Sequence, residues 1–307
     1  MEFLKGTGVA MITPFDDNGE VDFDAIPQLI DHLLSDSSLD RGVDYIVILG
    51  TTAEVVTLNS QEKDKIIKIV IKHNNDRVPL VIGVGGNNTR GIVQFLNKNR
   101  SLLSSNFSSV LSVCPYYNKP SQNGIYAHFQ KISQASDLPI ILYNVPSRTG
   151  VSLEVQTVIR LANDFKNIIA IKEASGEVSI ALELLRELPE YFQVISGDDL
   201  IALSTVLAGG SGVISVIAGA FPDQVKKMIN YGLNGNYKEA YQIYYQLMPL
   251  INLIFKEGNP SGIKRLLGNQ NLGLCRENLR LPLVPVSDQL RSEIDIEFKK
   301  YSDCLSK

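Results

Sequence analysis

Short apolar runs alternate with longer amphipathic stretches along most of the chain. The runs lack the alternation of inward and outward positions that a half-exposed strand shows, which is typical of parallel strands buried on both faces. We therefore predict eight strands, at residues 8–12, 43–50, 80–85, 110–114, 140–144, 168–173, 193–197 and 212–216.

The stretches between these strands repeat their apolar residues at helical spacing. They predict helices at residues 60–73, 123–135, 154–163, 177–187 and 198–208. Asn59 is followed three residues later by Glu62, a pair that can satisfy exposed backbone amides at a helix start. Thr89 is expected to cap the next helix in the same way.

The number and order of these units predict the fold class. Eight strand–helix units in about 230 residues are typical of an α/β (β/α)8 TIM barrel. A doubly wound open sheet is the alternative, but it would carry a G-x-G-x-x-G turn after its first strand, where Thr13-Pro14-Phe15-Asp16 stands. The glycine-rich segment 83–88 follows the third strand, and we interpret it as a tight turn rather than a phosphate cradle.

The strand pattern stops near residue 234. Helical stretches follow at 237–255, 261–267 and 287–301. We therefore predict a barrel over residues 1–233 and a C-terminal helical domain over residues 234–307. One helix face carries four tyrosines, which we assign to core or interface packing rather than to a ligand site. They are Tyr237, Tyr241, Tyr244 and Tyr245.

Composition narrows the range of partners. Of the 307 residues, 44% are hydrophobic and 20% are charged, and the net charge of −4 comes from interspersed residues without a basic stripe. This pattern argues against nucleic acid or an anionic membrane surface as a partner and favours small-molecule chemistry. Because neither a signal peptide nor a long apolar span is recognisable, we predict a cytoplasmic location.

Cysteines and histidines are few and widely spaced. They are Cys114, Cys275 and Cys304, together with His32, His73 and His128. The cysteines form no C-x-x-C pair, and no histidine has a second ligand at helical spacing. We therefore expect reduced thiols, no metal site and no cofactor.

Lys172 ends the apolar run at 168–171. A lysine ammonium is costly to bury, so it must reach water, pair with an acid or lose its proton, and only the neutral amine attacks a carbonyl. Taken alone, a structural lysine at the end of a strand would be the commoner explanation. The residues around the other strand ends favour a reactive lysine instead.

Polar and reactive residues follow the predicted ends of the other strands as well. These are Gly50-Thr51-Thr52-Ala53-Glu54, Cys114-Pro115-Tyr116-Tyr117-Asn118, Tyr143-Asn144, Ser196-Gly197-Asp198-Asp199 and Gly212-Val213-Ile214-Ser215. In a (β/α)8 barrel the carboxyl ends of the strands form one mouth, where the chemistry takes place. Hydroxyls, a lysine and a nearby arginine suit imine chemistry with protons relayed through hydroxyl groups.

Five ordered blocks give this pattern a specific resemblance. They are the G-T-T-x-E turn at 50–54, Pro115-Tyr116-Tyr117-Asn118-Lys119-Pro120, the segment 143–150, Ile171-Lys172-Glu173-Ala174 and Ser196-Gly197-Asp198-Asp199. With them the chain resembles the pyruvate-dependent Schiff-base aldolases and lyases, and within these the dihydrodipicolinate synthase family most closely. The similarity runs from the segment 8–15, through Asn259-Pro260-Ser261-Gly262-Ile263-Lys264, to 279–282.

The resemblance implies a reaction in lysine and diaminopimelate biosynthesis. Lys172 would form an imine with pyruvate, and the derived enamine would attack L-aspartate 4-semialdehyde. Tyr143 would move the proton, linked through Thr52 or Thr51 to Tyr117, which in this family reaches in from a neighbouring subunit. A complete site would then need at least a dimer, and the family is usually a tetramer built from two dimers.

The resemblance also implies the substrate contacts. Thr51 and Thr52 would hold the pyruvate carboxylate, with Gly197 and Ile214 lining the pocket. Arg148 would grip the carboxylate of the aldehyde, since a planar guanidinium binds a carboxylate through two parallel hydrogen bonds.

Two other functions remain open on the same fold. One is a pyruvate-dependent lyase of a sugar acid, such as N-acetylneuraminate or a 2-keto-3-deoxy acid, although the arginine-bearing turn argues against it. The other is a non-enzymatic barrel that binds a ligand without chemistry, although Lys172 and both threonines are present.

Overall fold

The computed structural model describes residues 2–34, 42–269 and 272–305. Parallel strands close into a barrel in which each strand pairs with the next and the last pairs with the first. The strands are β1 (Gly6–Ala10), β2 (Tyr45–Ile48), β3 (Leu80–Gly83), β4 (Ser109–Val113), β5 (Ile140–Asn144), β6 (Ile168–Glu173), β7 (Gln193–Ser196) and β8 (Gly212–Ser215). The predicted (β/α)8 barrel is confirmed, and the open sheet was the wrong alternative.

Each observed strand begins and ends within two residues of its predicted bounds, and β5 and β6 have the predicted bounds themselves. The first strand begins two residues earlier than predicted, at Gly6, because Gly6 and Thr7 pair with Gly212 and Val213 of β8. Gly6 has φ 103°. Glycine is depleted in strands, so a prediction based on apolar residues did not include Gly6 in the first strand.

Helices follow the strands and continue beyond the barrel. They are α1 (Ala25–Leu34), α2 (Ser60–Asn74), α3 (Thr89–Lys98), α4 (Arg100–Asn106), α5 (Gln122–Ala135), α6 (Pro146–Thr149), α7 (Val155–Asp164), α8 (Val178–Glu187), α9 (Ala202–Leu207), α10 (Pro222–Leu233), α11 (Tyr237–Lys256), α12 (Ser261–Gly268) and α13 (Asp288–Leu305). Among these described helices, none combines the length and the hydropathy needed to cross a membrane.

Two predicted helix starts had opposite outcomes. Asn59 and Glu62 form the expected reciprocal cap, with bonds of 2.9 and 2.8 Å. The cap predicted at Thr89 is wrong, because Asn88 accepts the amide of Gly91 at 3.2 Å instead. The Thr89 hydroxyl lies 2.8 Å from Nδ1 of His128, so a tertiary partner outcompetes the local cap.

Another predicted helix, at 198–208, starts later than expected. The helix α9 begins at Ala202. The reason is that Asp198 and Asp199 accept backbone N–H groups outside a helix, Asp198 from Leu200 at 2.8 Å and Asp199 from Val216 at 3.0 Å. Short acidic side chains compete in this way with helical hydrogen bonding.

The core has one layer inside the barrel and another between the strands and the surrounding helices. Tyr45 of β2 fills part of the inner layer and is fully buried, and its hydroxyl donates to the Val213 carbonyl at 3.4 Å. Gly8 makes room for it, since a Cβ there would lie 2.2 Å from the Tyr45 ring. A side chain at position 8 would thus collide with the interior of the barrel.

Beyond α10 the helices α11, α12 and α13 pack on one another, and α11 also packs on α10. The rings of Tyr241 and Tyr245 stack with centroids 5.5 Å apart, and the Tyr244 hydroxyl donates to the Leu200 carbonyl at 2.8 Å. Tyr244 therefore packs against the barrel half of the chain. Because the last strand ends at Ser215 and α11, α12 and α13 pack on one another, we propose the division into residues 1–233 and 234–307.

A buried ion pair joins this helical part to the barrel mouth. Nζ of Lys264 in α12 lies 2.6 Å from Oε1 of Glu54, and the two side chains are 0% and 1% exposed. Lys264 also donates to the Asn278 carbonyl at 2.8 Å, and the Arg280 amide donates to the other Glu54 oxygen at 3.1 Å. Such additional hydrogen bonds are what make a desolvated ion pair tolerable in a protein interior.

We predict that replacing Lys264 by methionine lowers the free energy of unfolding by about 3–5 kcal/mol, because the buried Glu54 charge would lose its partner. Lys256→Met is the matched control, since its bond to Glu293 also joins two segments that are distant in the sequence but is partly exposed. The control should cost less than about 1 kcal/mol. Equal losses for the two variants in urea unfolding would contradict a special role for the buried pair.

Candidate active site

Lys172 projects into the barrel mouth from the end of β6 and is 6% exposed. Its Nζ lies 4.5 Å from the centroid of the Tyr143 ring. Within the described residues this nitrogen forms no ion pair and no side-chain hydrogen bond, whereas the nitrogen of a buried structural lysine would be paired with an acid. The nitrogen is therefore open to a carbonyl carbon.

Strand register places the two predicted catalytic groups together. Tyr143 and Lys172 are paired residues of β5 and β6, and paired residues of neighbouring strands point to the same face. Gly197, the residue directly after β7, leaves room for the lysine. A Cβ at Gly197 would lie 2.8 Å from Cε of Lys172 and 2.6 Å from Cβ of Ala174.

Asn144 and Glu173 directly follow Tyr143 and Lys172, so their side chains point to the opposite face of the sheet, where they form a polar network. Asn144 Nδ2 donates to Glu173 Oε2 at 2.8 Å, and Glu173 Oε1 accepts the Ser175 amide at 2.7 Å. Asn144 Oδ1 accepts the Leu153 amide at 2.9 Å, and burial raises the pKa of Glu173. Sequence reasoning assigned no role to Asn144 or Glu173, although polar residues ending two buried strands were a signal. They fix the strand ends that carry Tyr143 and Lys172.

The predicted threonines lie on a short 3₁₀ turn, Thr51–Ala53, after β2. Thr52 is 3% exposed and its hydroxyl oxygen accepts Nδ2 of Asn259 at 3.1 Å, while Thr51 is half-buried. The Thr13 hydroxyl donates to the Ala53 carbonyl at 2.8 Å, and Glu54 forms the ion pair with Lys264. The turn is therefore held from both the barrel and the helical part.

Arg148 lies on the short helix α6 that follows β5, and its side chain is exposed. Its Nη2 donates to the carbonyl of Asn259 at 3.3 Å. Asn259 thus contacts both Thr52 and Arg148, which sequence reasoning placed in separate parts of the site. Asn259 was itself missed, although it begins the Asn259-Pro260 segment that carried the resemblance.

The other two predicted residues, Ile214 and Tyr117, differ in their exposure to solvent. Ile214 is fully buried in the inner layer of the barrel with Tyr143. Tyr117 is 84% exposed and has a left-handed backbone with φ 76°, and its amide donates to the Thr149 carbonyl at 3.3 Å. A single chain therefore brings Lys172, Tyr143, Gly197 and Ile214 into one group and leaves Tyr117 on its surface.

Other reactive groups near the mouth are poor nucleophiles. Cys114 follows β4, and burial raises the pKa of its thiol to about 12, so it is protonated at neutral pH. Burial also raises the pKa of Asp199, whose oxygen accepts the amides of Val216 and Ile217. Across residues 2–34, 42–269 and 272–305, acidic, cysteine and histidine side chains form no cluster suited to a metal ion.

A known protein family matches almost the whole chain. Residues 3–300 match the model of the dihydrodipicolinate synthetase family. The chain belongs to this family. It is therefore an enzyme of the lyase class, and both predictions made from the five motifs, the resemblance and the enzyme class, are confirmed.

Individual relatives cover almost the whole chain. A 4-hydroxy-tetrahydrodipicolinate synthase of Flavobacterium psychrophilum is 48% identical over 302 residues, which are 98% of this chain and 100% of the relative. The crystal structure of dihydrodipicolinate synthase from Aquifex aeolicus has a TM-score of 0.90 at 38% identity, with 97% and 98% of the two chains covered. The chloride-inhibited enzyme of Acinetobacter baumannii in complex with pyruvate has a TM-score of 0.90 at 34% identity, covering 97% and 99%.

We predict that Gly197→Ala slows imine formation at Lys172 by about 100-fold, because the new Cβ would push the amine out of position. The readout is the rate of covalent mass gain with pyruvate and borohydride. Gly86→Ala is the control, since a Cβ there meets its nearest neighbour, Cδ1 of Ile92, at 3.9 Å. A folded Gly197→Ala variant that traps pyruvate at the wild-type rate would contradict this account.

Proposed function

We propose that Lys172 is the Schiff-base nucleophile of a 4-hydroxy-tetrahydrodipicolinate synthase, which condenses pyruvate with L-aspartate 4-semialdehyde. The observation that carries the proposal is the buried amine of Lys172 beside Tyr143, with no acid bound to it among the described residues. Family membership supports the reaction, which belongs to lysine and diaminopimelate biosynthesis. A relative with the same fold has been crystallised with pyruvate.

The reaction begins when the Lys172 amine attacks the keto carbon of pyruvate and water leaves, giving an imine. Loss of a proton from the methyl carbon gives an enamine, whose carbon attacks the aldehyde carbon of the second substrate. The aldehyde oxygen takes up a proton. The amino group of the second substrate then attacks the imine carbon, closes the ring and releases the Lys172 amine. No redox step is needed, so the residues have only to bind substrates and move protons.

Tyr143 is the proposed proton donor and acceptor at the imine, since its ring lies directly beside Lys172 Nζ. A phenol is a weak base by itself, and a chain of hydroxyls can relay its proton. We place Thr51 or Thr52 and then Tyr117 in this chain. Since Tyr117 is 84% exposed, we infer that it enters the site of a neighbouring subunit.

The pyruvate carboxylate is proposed to bind at the turn of Thr51 and Thr52, where hydroxyl donors lie close to the barrel mouth. Gly197 and Ile214 line the space beside it. Arg148 is exposed at the same mouth and keeps most of its donors free, since one Nη2 bond to Asn259 is its described hydrogen bond. We infer that it binds the carboxylate of aspartate semialdehyde, a group that a polyol aldehyde lacks.

The assembly and the location are inferences of the same kind. We propose a homo-oligomer of at least two chains, with a tetramer of paired dimers as the expected form, because Tyr117 needs a second chain to reach an active site. We also infer a cytoplasmic location, which fits the three free cysteines.

The proposed function predicts which substrates consume pyruvate. With purified protein, pyruvate should disappear with aspartate semialdehyde but not with N-acetylmannosamine or glyceraldehyde. Lys172→Ala should abolish the reaction and the pyruvate-dependent mass gain on borohydride reduction. Consumption with a sugar aldehyde alone would move the protein to the sugar-acid lyases, and a wild-type protein without mass gain would show a binder without chemistry.

Sharing of Tyr117 between subunits can be tested by mixing two inactive variants, Tyr117→Phe and Lys172→Ala. Each mixed dimer would contain one site with both residues intact. Random exchange of subunits should therefore restore about a quarter of wild-type activity. The matched control mixes Tyr143→Phe with Lys172→Ala, whose sites stay defective because both residues come from the same chain. No recovery in the first mixture, with exchange shown by mass spectrometry, would place Tyr117 outside the relay.

A further inference from the structure

Asn259 lies in the loop between α11 and α12, outside the barrel, and the residue is 7% exposed. It is the described residue that touches two parts of the proposed site, Thr52 through its side-chain amide and Arg148 through its backbone carbonyl. Its own segment is anchored nearby, since Lys264 in the following helix forms the buried pair with Glu54. Asn259 is therefore held at a fixed distance from the threonine turn.

The direction of the hydrogen bond to Thr52 decides what that hydroxyl can do. A hydroxyl has one hydrogen to donate and two lone pairs that accept. Asn259 Nδ2 donates to Thr52 Oγ1 at 3.1 Å, so it uses a lone pair and leaves the hydrogen free. Within the described residues the Thr52 hydroxyl donates to no acceptor. The hydrogen is thus available to an anionic oxygen at the barrel mouth.

Within the part of the chain that the structure describes, the oxygen of the Asn259 amide adds no second hydrogen bond that would fix the side chain. Its Oδ1 is buried and has no hydrogen-bond partner among the described residues. A buried acceptor without a donor destabilises a fold, and such groups are rare enough to need a separate explanation.

We propose that Asn259 is a positioning residue, which keeps the Thr52 hydroxyl turned as a donor toward the carboxylate of the bound keto acid. The inference rests on the proposed function. It concerns the Thr52 hydroxyl of the turn that is proposed above to bind this carboxylate. It also separates two roles of Asn259, because the side chain serves the keto acid and the backbone carbonyl serves Arg148.

The first test measures the two Michaelis constants separately. In Asn259→Ala the hydroxyl loses its orienting donor but Arg148 keeps its carbonyl partner. The KM for pyruvate should rise about tenfold, while the KM for aspartate semialdehyde should change less than about twofold. In Asn259→Asp a carboxylate would accept the Thr52 hydrogen and turn it away from the substrate, so the pyruvate KM should rise about 100-fold.

Asn252→Ala is the matched control, because this exposed asparagine of α11 donates to the Met248 carbonyl of its own helix, and both constants should stay unchanged. Urea unfolding checks that each variant is folded. Asn259→Asp has nearly the wild-type shape, so it keeps the test usable where the alanine variant fails to fold. Equal increases in both Michaelis constants would overturn the inference and indicate general damage to the site.

A double-mutant cycle asks whether Asn259 acts through Thr52. Adding Asn259→Ala to Thr52→Val should change the half-saturating pyruvate concentration for borohydride trapping less than about twofold, because the hydroxyl to be oriented is already absent. Additive losses would overturn the inference. A wild-type protein that gains no mass with pyruvate would instead overturn the proposed function, so the two failures are distinguishable.

Discussion

The buried pair of Lys264 and Glu54 is the contact on which the arrangement of the site depends. Two charges removed from water destabilise a protein unless each has close partners. Here the Asn278 carbonyl accepts a further hydrogen bond from Lys264, and the Arg280 amide donates one to Glu54. These requirements allow little movement between α12 and the turn after β2. The threonine turn is therefore positioned by a residue that lies 210 residues later in the chain, in α12, and not by the barrel alone.

The interior of the barrel depends equally on positions without side chains. Gly8 makes room for the ring of Tyr45, and Gly197 makes room for the stem of Lys172. Because protein interiors are close-packed, a large side chain can enter the barrel only where a neighbouring strand provides space. The same rule thus governs a structural tyrosine at one level of the barrel and the proposed nucleophile at its mouth.

The chemistry of the site explains why a single chain is insufficient under the proposed mechanism. Lys172 and Tyr143 meet within one barrel, yet Tyr117 is exposed on the loop after β4. An exposed tyrosine with a strained, left-handed backbone is costly to hold in one conformation, and such residues are common at functional sites. Assembly would then be part of the catalytic mechanism, since it would bring the last hydroxyl of the relay to the imine.

The sequence by itself determined the barrel, the strand ends and the family, because apolar runs, their spacing and local motifs are properties of neighbouring residues. Lys172, Tyr143 and Gly197 could be located at the mouth for the same reason, since the mouth of a barrel follows from strand order, whereas their proposed roles came from the resemblance. The cap at Thr89, the late start of α9 and the network of Asn144 with Glu173 were decided by partners far away in the sequence. Asn259 and Lys264 belong to that second group. Their partners Thr52 and Glu54 lie 207 and 210 residues away in the sequence. Local sequence patterns do not encode contacts over such separations, and these residues meet only because the helical part packs on the barrel.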